Sequence, residues 1–205
     1  MWCVAWSGRP SVAERAALII GPDGMARCGW ADGSDDYRAY HDSEWGVPVR
    51  GERALYERIT LEAFQSGLAW ITILRKRPAF RAAFADFDAE VVASYGPDDV
   101  ERLMQDAGIV RNRRKIDAAI TNAQAVLRLR ESGGLDEFVW SHAPAAHQRP
   151  GTLAEVPAQT PESVALAKAL KKAGFAHVGP TTMYAAMQAC GLVDDHFVGC
   201  FRGTS

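Results

Sequence analysis

From Glu52 onward the apolar positions recur at helical spacing: Leu55, Ile59 and Ala63 fall on one stripe at intervals of three and four, and Glu62 and Ser66 share it. This predicts a helix starting at residue 52 with a carboxylate on its apolar face. A second helix is predicted over 98–106, ended by Gly108, and a third over 115–129, stopped by Gly133 and Gly134. Thr160 reads as an N-cap with Pro161 at the first helical position, and Gly174 closes that helix. Another helix is expected over about 181–190, stopping at Gly191, so two helices flank the short glycine-containing turn FAHVGP. There is no clear period-2 segment and no internal repeat, and the expected architecture is all-α.

The segments between these helices carry other signals. Residues 1–24 hold Gly8, Pro10, Gly21, Pro22 and Gly24, and Leu18–Ile20 is long enough for a partial helical turn at most. They read as a loosely ordered extension, even as a stretch upstream of the true start, with 25–205 forming a single helical domain. Residues 143–157 contain three prolines and no periodicity, and read as a surface loop.

Composition narrows the choice. A chain of 205 residues, 48% hydrophobic, can close one full core. A net charge of -2 and a pI near 6.2 exclude a globally basic nucleic-acid binder, so any DNA contact must come from a local basic face. Cys3, Cys28, Cys190 and Cys200 are too few and too scattered for a disulfide framework, which points to a reducing, cytoplasmic setting. No run approaches the roughly 18 apolar residues that a membrane span needs. The opening segment, broken by Ser7, Arg9, Glu14 and Arg15, lacks a signal-peptide core. No second apolar stripe is visible, so a monomer is expected.

Four features carry chemistry. Cys28 with His41 near one end, and His196 with Cys200 at H-x3-C spacing near the other, are a donor set suited to tetrahedral zinc; four protein ligands would make the site structural. Ordinary buried thiols and hydrogen-bonded histidines give the same letters, so spacing alone leaves both open. Trp30, Tyr37, Tyr40 and Trp45 crowd one segment, with Trp70 following the Glu62 helix; such rings can hold an extruded base or can simply pack a core. Glu62 on an apolar face needs a partner, either a cationic ligand or a base such as Arg58. Arg111, Asn112, Arg113, Arg114 and Lys115 at a helix start suit phosphate contacts or a solvated face.

The blocks RCGW, YRAYHDSEWGVP, LEAFQSGLAWITILRKR, QDAGIVRNRRKI, ALKKAGFAHVGPT and MQACGLVDDHFVGC occur in one order, and together they resemble the 3-methyladenine DNA glycosylase type I family over about 27–200. The resemblance implies a helix-hairpin-helix glycosylase fold, with Cys28, His41, His196 and Cys200 binding one structural zinc that joins the N- and C-terminal segments. It implies Glu62 as the carboxylate that meets the base, Tyr37 and Tyr40 as polar or stacking walls, Trp70 as the stacking ring, and Trp30 and Trp45 as supporting aromatics. Gly174, Gly179 and Thr181 would belong to a DNA-anchoring hairpin, with Arg113 and Lys115 on phosphates. The implied activity is release of 3-methyladenine from double-stranded DNA. Helix-hairpin-helix glycosylases place a catalytic aspartate shortly after the hairpin, a role the type I family lacks, and Asp194 stands near that position.

Overall fold

The computed structural model describes residues 17–203; Cys3 and residues 1–16, which make up most of the expected extension, lie outside them. The described chain divides into two compact units. One comprises the N-terminal segment up to Trp45, Gln148–Pro157 and the C-terminal segment from Asp194, and the other comprises Gly46–His147 and Ala158–Val193.

In the first unit, β1 (Leu18–Ile20) pairs antiparallel with β2 (Ala26–Cys28), with Leu18 opposite Cys28 and Ile20 opposite Ala26. This corrects two expectations, the partial helical turn at Leu18–Ile20 and an architecture free of strands. The sequence G-P-D-G that suggests looseness is a hairpin turn: Gly21 donates to the Met25 carbonyl at 2.9 Å, and Gly24 supplies a φ of +77°. Strands of three residues are too short to display alternation. A 3-10 turn, Gly29–Gly33, leads into α1 (Asp35–Ser43), which Ser34 caps by accepting from the Tyr37 amide at 3.2 Å. The C-terminal segment returns to this hairpin, where Phe201 donates to the Ala26 carbonyl at 2.8 Å. Cys28, Phe197 and Cys200 form a small core with Leu18, Trp30 and Val156 packed on it.

The second unit is built around α2 (Glu52–Gln65), which packs against α3 (Trp70–Ala83), α6 (Arg113–Leu129), α7 (Gly134–Trp140) and α9 (Pro180–Ala189). Every residue from Ile59 to Phe64 is buried, so from its middle onward α2 is covered on all sides. Glu62 therefore lies inside the unit, away from any stripe edge. Phe64, Phe80, Phe84 and Phe87 stack in sequence at centroid separations of 4.8, 6.2 and 5.8 Å, and Tyr56 closes the row with its hydroxyl on the Ala119 carbonyl. Two short helices, α4 (Ala89–Ala93) and α5 (Pro97–Gln105), flank α6.

The expected helix pair is present as α8 (Pro161–Lys172) and α9. Thr160 and Ser163 form a reciprocal capping box, each side chain accepting from the other's amide at 3.3 and 2.9 Å. Gly174, at φ +97°, ends α8: Phe175 donates to the Leu170 carbonyl at 2.9 Å, and a Cβ at Gly174 would run into the Arg128 guanidinium. Buried Asn122 of α6 clamps the turn by accepting from the Ala176 amide at 2.7 Å and donating to its carbonyl at 3.2 Å. Residues 143–157 are irregular apart from one 3-10 turn, Leu153–Glu155.

Candidate functional site

The first unit brings three of the sequence-predicted ligands together. Cys28 ends β2, His41 sits in the last turn of α1, and Cys200 follows a tight turn in the C-terminal segment; all three are buried, and their donor atoms lie within 4.8 Å of one another. Cys200 Sγ is 3.4 Å from His41 Nε2. Ligands of a tetrahedral ion with bonds of 2.0 to 2.3 Å stand about 3.3 to 3.8 Å apart, and the three form a group that could hold a metal ion. Cys28 Sγ also accepts the Phe197 amide at 3.2 Å. The hydrogen bond from Cys28, helped by His41, draws the Cys200 thiol below the usual thiol range, and the same bond, with burial, pushes Cys28 up. A cation held by both sulfurs would require both as thiolates.

His196 is 2% exposed, and its ring centroid lies 4.9 Å from that of His41. Its Nδ1 is held by Asp194 Oδ1 at 2.7 Å, while its Nε2 is buried without a hydrogen-bond partner. An orphaned buried ring nitrogen costs roughly 1–3 kcal/mol unless something binds it. His196 stands outside the close group of Cys28, His41 and Cys200, and its orphaned Nε2 is a further nitrogen donor of the kind that suits a borderline divalent ion.

The crowded aromatics of this unit surround the ligand rings. Trp30 packs edge-on to His41 at 5.2 Å and to Trp45 at 5.0 Å, and Trp45 packs on His196 at 4.7 Å. Tyr37 meets Trp30 at 6.1 Å and is half-buried, whereas Tyr40 is buried on α1.

In the second unit Glu62 is 5% exposed. Burial pushes its carboxyl up to about 8, against the pull of the Arg58 guanidinium one helical turn earlier. Cys190, which ends α9 and senses the charges of both, is also raised, chiefly by burial. The tight turn after α2, with Gly67 at φ +82° and Leu68 donating to the Gln65 carbonyl at 2.7 Å, delivers half-buried Trp70 to the first position of α3. Lys115 places its ammonium on the Phe64 and Ser66 carbonyls at 2.8 and 2.6 Å, so it fastens this same turn. Arg113 is exposed and pairs with Glu101 at 3.0 Å. Beside the hairpin an open hollow of about 430 Å³ is lined by Ser66, Lys171, His177, Val178, Gly179 and Thr182, and Thr181 is exposed at the start of α9.

Sequence reasoning passed over Arg27, Asp42, Asn122 and Arg149, all of which hold functional segments in place. His-Asp at residues 41 and 42 and Asp-x-His at residues 194 to 196 were legible as signals; Asn122 and Arg149 had none.

The family description "Methyladenine glycosylase" matches residues 30–203. DNA-3-methyladenine glycosylase 1 of Escherichia coli is 53% identical over 180 residues, covering 86% of this chain and 96% of its own. DNA-3-methyladenine glycosylase of Haemophilus influenzae is 44% identical, covering 87% and 98%. Among solved structures, a 3-methyladenine DNA glycosylase I superposes with a TM-score of 0.83 at 49% identity, over 87% of this chain and all of the other. A single-residue variant of 3-methyladenine DNA glycosylase I in complex with 3-methyladenine matches with a TM-score of 0.82 at 31% identity, over 87% and 98%. With one family spanning nearly all the described residues and relatives covered almost end to end, the chain is a glycosylase and belongs to the methyladenine glycosylase family.

Proposed function

We propose that this enzyme hydrolyses the N-glycosidic bond of 3-methyladenine in alkylated double-stranded DNA, as a first step of base excision repair. The observation that carries this reading is Glu62, a carboxyl enclosed on all sides of α2 and pushed up to about 8 by burial. A neutral purine gains little from a group whose ionisation costs so much. A purine alkylated at N3 carries a formal positive charge, which stabilises the carboxylate and is stabilised by it. Discrimination against normal adenine then rests on charge as well as shape.

The same positive charge makes the base a good leaving group, so little general-acid help is required. The enzyme flips the nucleotide, Glu62 meets the cationic base, and Trp70 is assigned the stacking ring. Tyr37 and Tyr40 are assigned polar or stacking contacts, with Trp30 and Trp45 supporting them, as the resemblance implies. The amides around Gly174 and Gly179, with Thr181, are the phosphate contacts of a helix-hairpin-helix element, and Arg113 and Lys115 at the start of α6 are separate phosphate contacts. Supporting the hairpin assignment are the left-handed Gly174 and the uncapped N-terminus of α9 at Gly179. No Schiff-base step is expected, because Lys168, Lys171 and Lys172 all precede the hairpin.

Cys28, His41, Cys200 and His196 are proposed to hold one zinc ion, supported by the donor set and the orphaned Nε2. When bound, the ion supplies structure alone, since four protein ligands leave no open position. It ties the C-terminal segment to the β-hairpin and α1. The protein is taken to act as a cytoplasmic monomer.

The deciding experiment incubates purified protein with methylated duplex DNA, separates released bases by chromatography and measures zinc on the same sample. Release of 3-methyladenine by the wild type and its loss in Glu62→Gln are expected. Unchanged release by the variant would remove Glu62 from the reaction.

A further inference from the structure

An imidazole can bind a metal through one nitrogen only while the other keeps its proton, and a hydrogen bond to a carboxylate is what fixes that choice. Both histidines of the first unit have this bond. His41 Nδ1 is 2.8 Å from Asp42 Oδ1, and His196 Nδ1 is 2.7 Å from Asp194 Oδ1. With Nδ1 donating, each Nε2 carries the free lone pair. That of His41 lies 3.4 Å from Cys200 Sγ, and that of His196 is the buried orphan.

Each carboxylate is in turn held by an arginine. Arg27, 4% exposed and next to Cys28 in β2, donates Nε to both Asp42 oxygens at 3.0 Å and Nη2 at 2.8 Å. Arg149 pairs with Asp194 at 3.6 Å and donates to the His196 and Phe197 carbonyls at 2.9 and 2.7 Å. Asp194 also accepts the backbone amide of His196 at 3.1 Å. Two segments far apart in sequence thus repeat one arrangement of arginine, aspartate and histidine.

We propose that Arg27–Asp42 and Arg149–Asp194 are positioning pairs that hold His41 and His196 as Nδ1–H tautomers and so preform the metal site before the ion arrives. This rests on the metal reading given above. It also accounts for the aspartate near the position that other hairpin glycosylases use catalytically: in this chain the Asp194 carboxylate is committed to a ligand histidine, its own loop and Arg149. It is a positioning residue for the metal centre, with no part in bond cleavage.

The test uses the full chain and the variants Asp194→Ala, Asp194→Asn and Arg149→Met. Zinc affinity is measured by competition with a chromophoric chelator, the tetrahedral S2N2 signature by cobalt visible absorption, and the His196 tautomer by nitrogen-15 NMR of metal-free protein. The expected result is a 10- to 100-fold loss of zinc affinity in Asp194→Ala, with His196 shifting out of the pure Nδ1–H form. Asp194→Asn, whose amide oxygen still accepts from Nδ1, should recover much of both, and Arg149→Met should fall between.

Equal affinity and an unchanged tautomer in Asp194→Ala would overturn the proposal while leaving the metal reading intact. Base release lost in Asp194→Asn at saturating zinc, with affinity unchanged, would make Asp194 part of the chemistry and overturn it as well. Should the wild type bind no metal, and Cys28→Ser change nothing, the metal reading would fail. The proposal, which rests on that reading, would fall with it.

Discussion

Replacing Glu62 by glutamine should cost the enzyme its reaction and yet stabilise its fold, by an amount that depends on pH in a calculable way. The folded carboxyl titrates near 8 and the unfolded one near 4.5. Between these values the folded state binds more protons than the unfolded state, so stability falls as pH rises through the window, and the penalty is complete only above 8. Linkage sets it at about 1 kcal/mol at pH 5, about 3 kcal/mol at pH 7 and nearly 5 kcal/mol well above pH 8. Glutamine has the same shape and no charge to desolvate. The variant should therefore gain roughly 4 kcal/mol more over wild type at pH 8.5 than at pH 5, or about 8 to 16 °C of melting temperature at this chain length. Thermal melts of both proteins at matched ionic strength give the difference directly, and groups common to both cancel. Melting curves that stay parallel from pH 5 to 8.5 would refute the reasoning, because Glu62 would then be ionised and paired throughout.

Several other residues carry measurable consequences. Asn122→Ala removes both bonds to Ala176 and strands a peptide group in the hairpin, which should cost about 2 to 3 kcal/mol in urea unfolding and weaken binding to unmodified duplex DNA. Lys115→Met should lower stability by about 1 to 3 kcal/mol through the lost bonds to Phe64 and Ser66; if Lys115 also neutralises a phosphate, the slope of log affinity against log salt falls by about 1, and if it only fastens the turn the slope is unchanged. Gly191→Ala should destabilise by more than about 2 kcal/mol, since its Cβ would sit 2.7 Å from the backbone at Gly46, Val47 and Pro48 and its φ is +72°. Chelation of the metal should strip hydrogen-exchange protection from 17–45 and 194–203 before it reaches α2 and α6; uniform loss across the chain would contradict a site confined to the first unit.

The helices written in local chemistry were legible to within a residue or two. Thr160 and Pro161 announced α8, Gly174 ended it, and the stripe from Leu55 announced α2. The sequence was silent where the signal is not local. α3 mixes apolar residues with Arg75, Lys76, Arg77 and an internal Pro78, so it lacks a clean face, and α1 is a short polar helix that buries only Tyr40 and His41. The β-hairpin was missed because each strand contributes only three residues.

The site divides along the same line. Residue types narrowed the ligand set, but spacing could not separate a metal-capable group from buried thiols, because what bears on the choice is three-dimensional: the close approach of Cys28, His41 and Cys200 and the orphaned His196 nitrogen. Glu62 shows the limit more sharply. A stripe predicts an apolar face with a carboxylate on it, and such a carboxylate finds solvent or an arginine at the stripe's edge at modest cost. Only packing on all sides of α2 makes ionisation expensive enough for charge on the ligand to matter. If Glu62 meets a cationic base as proposed, selectivity is a property of how the second unit closes around one helix, and any change that opens that packing should relax selectivity by lowering the Glu62 pKa before it alters a single contact to the base.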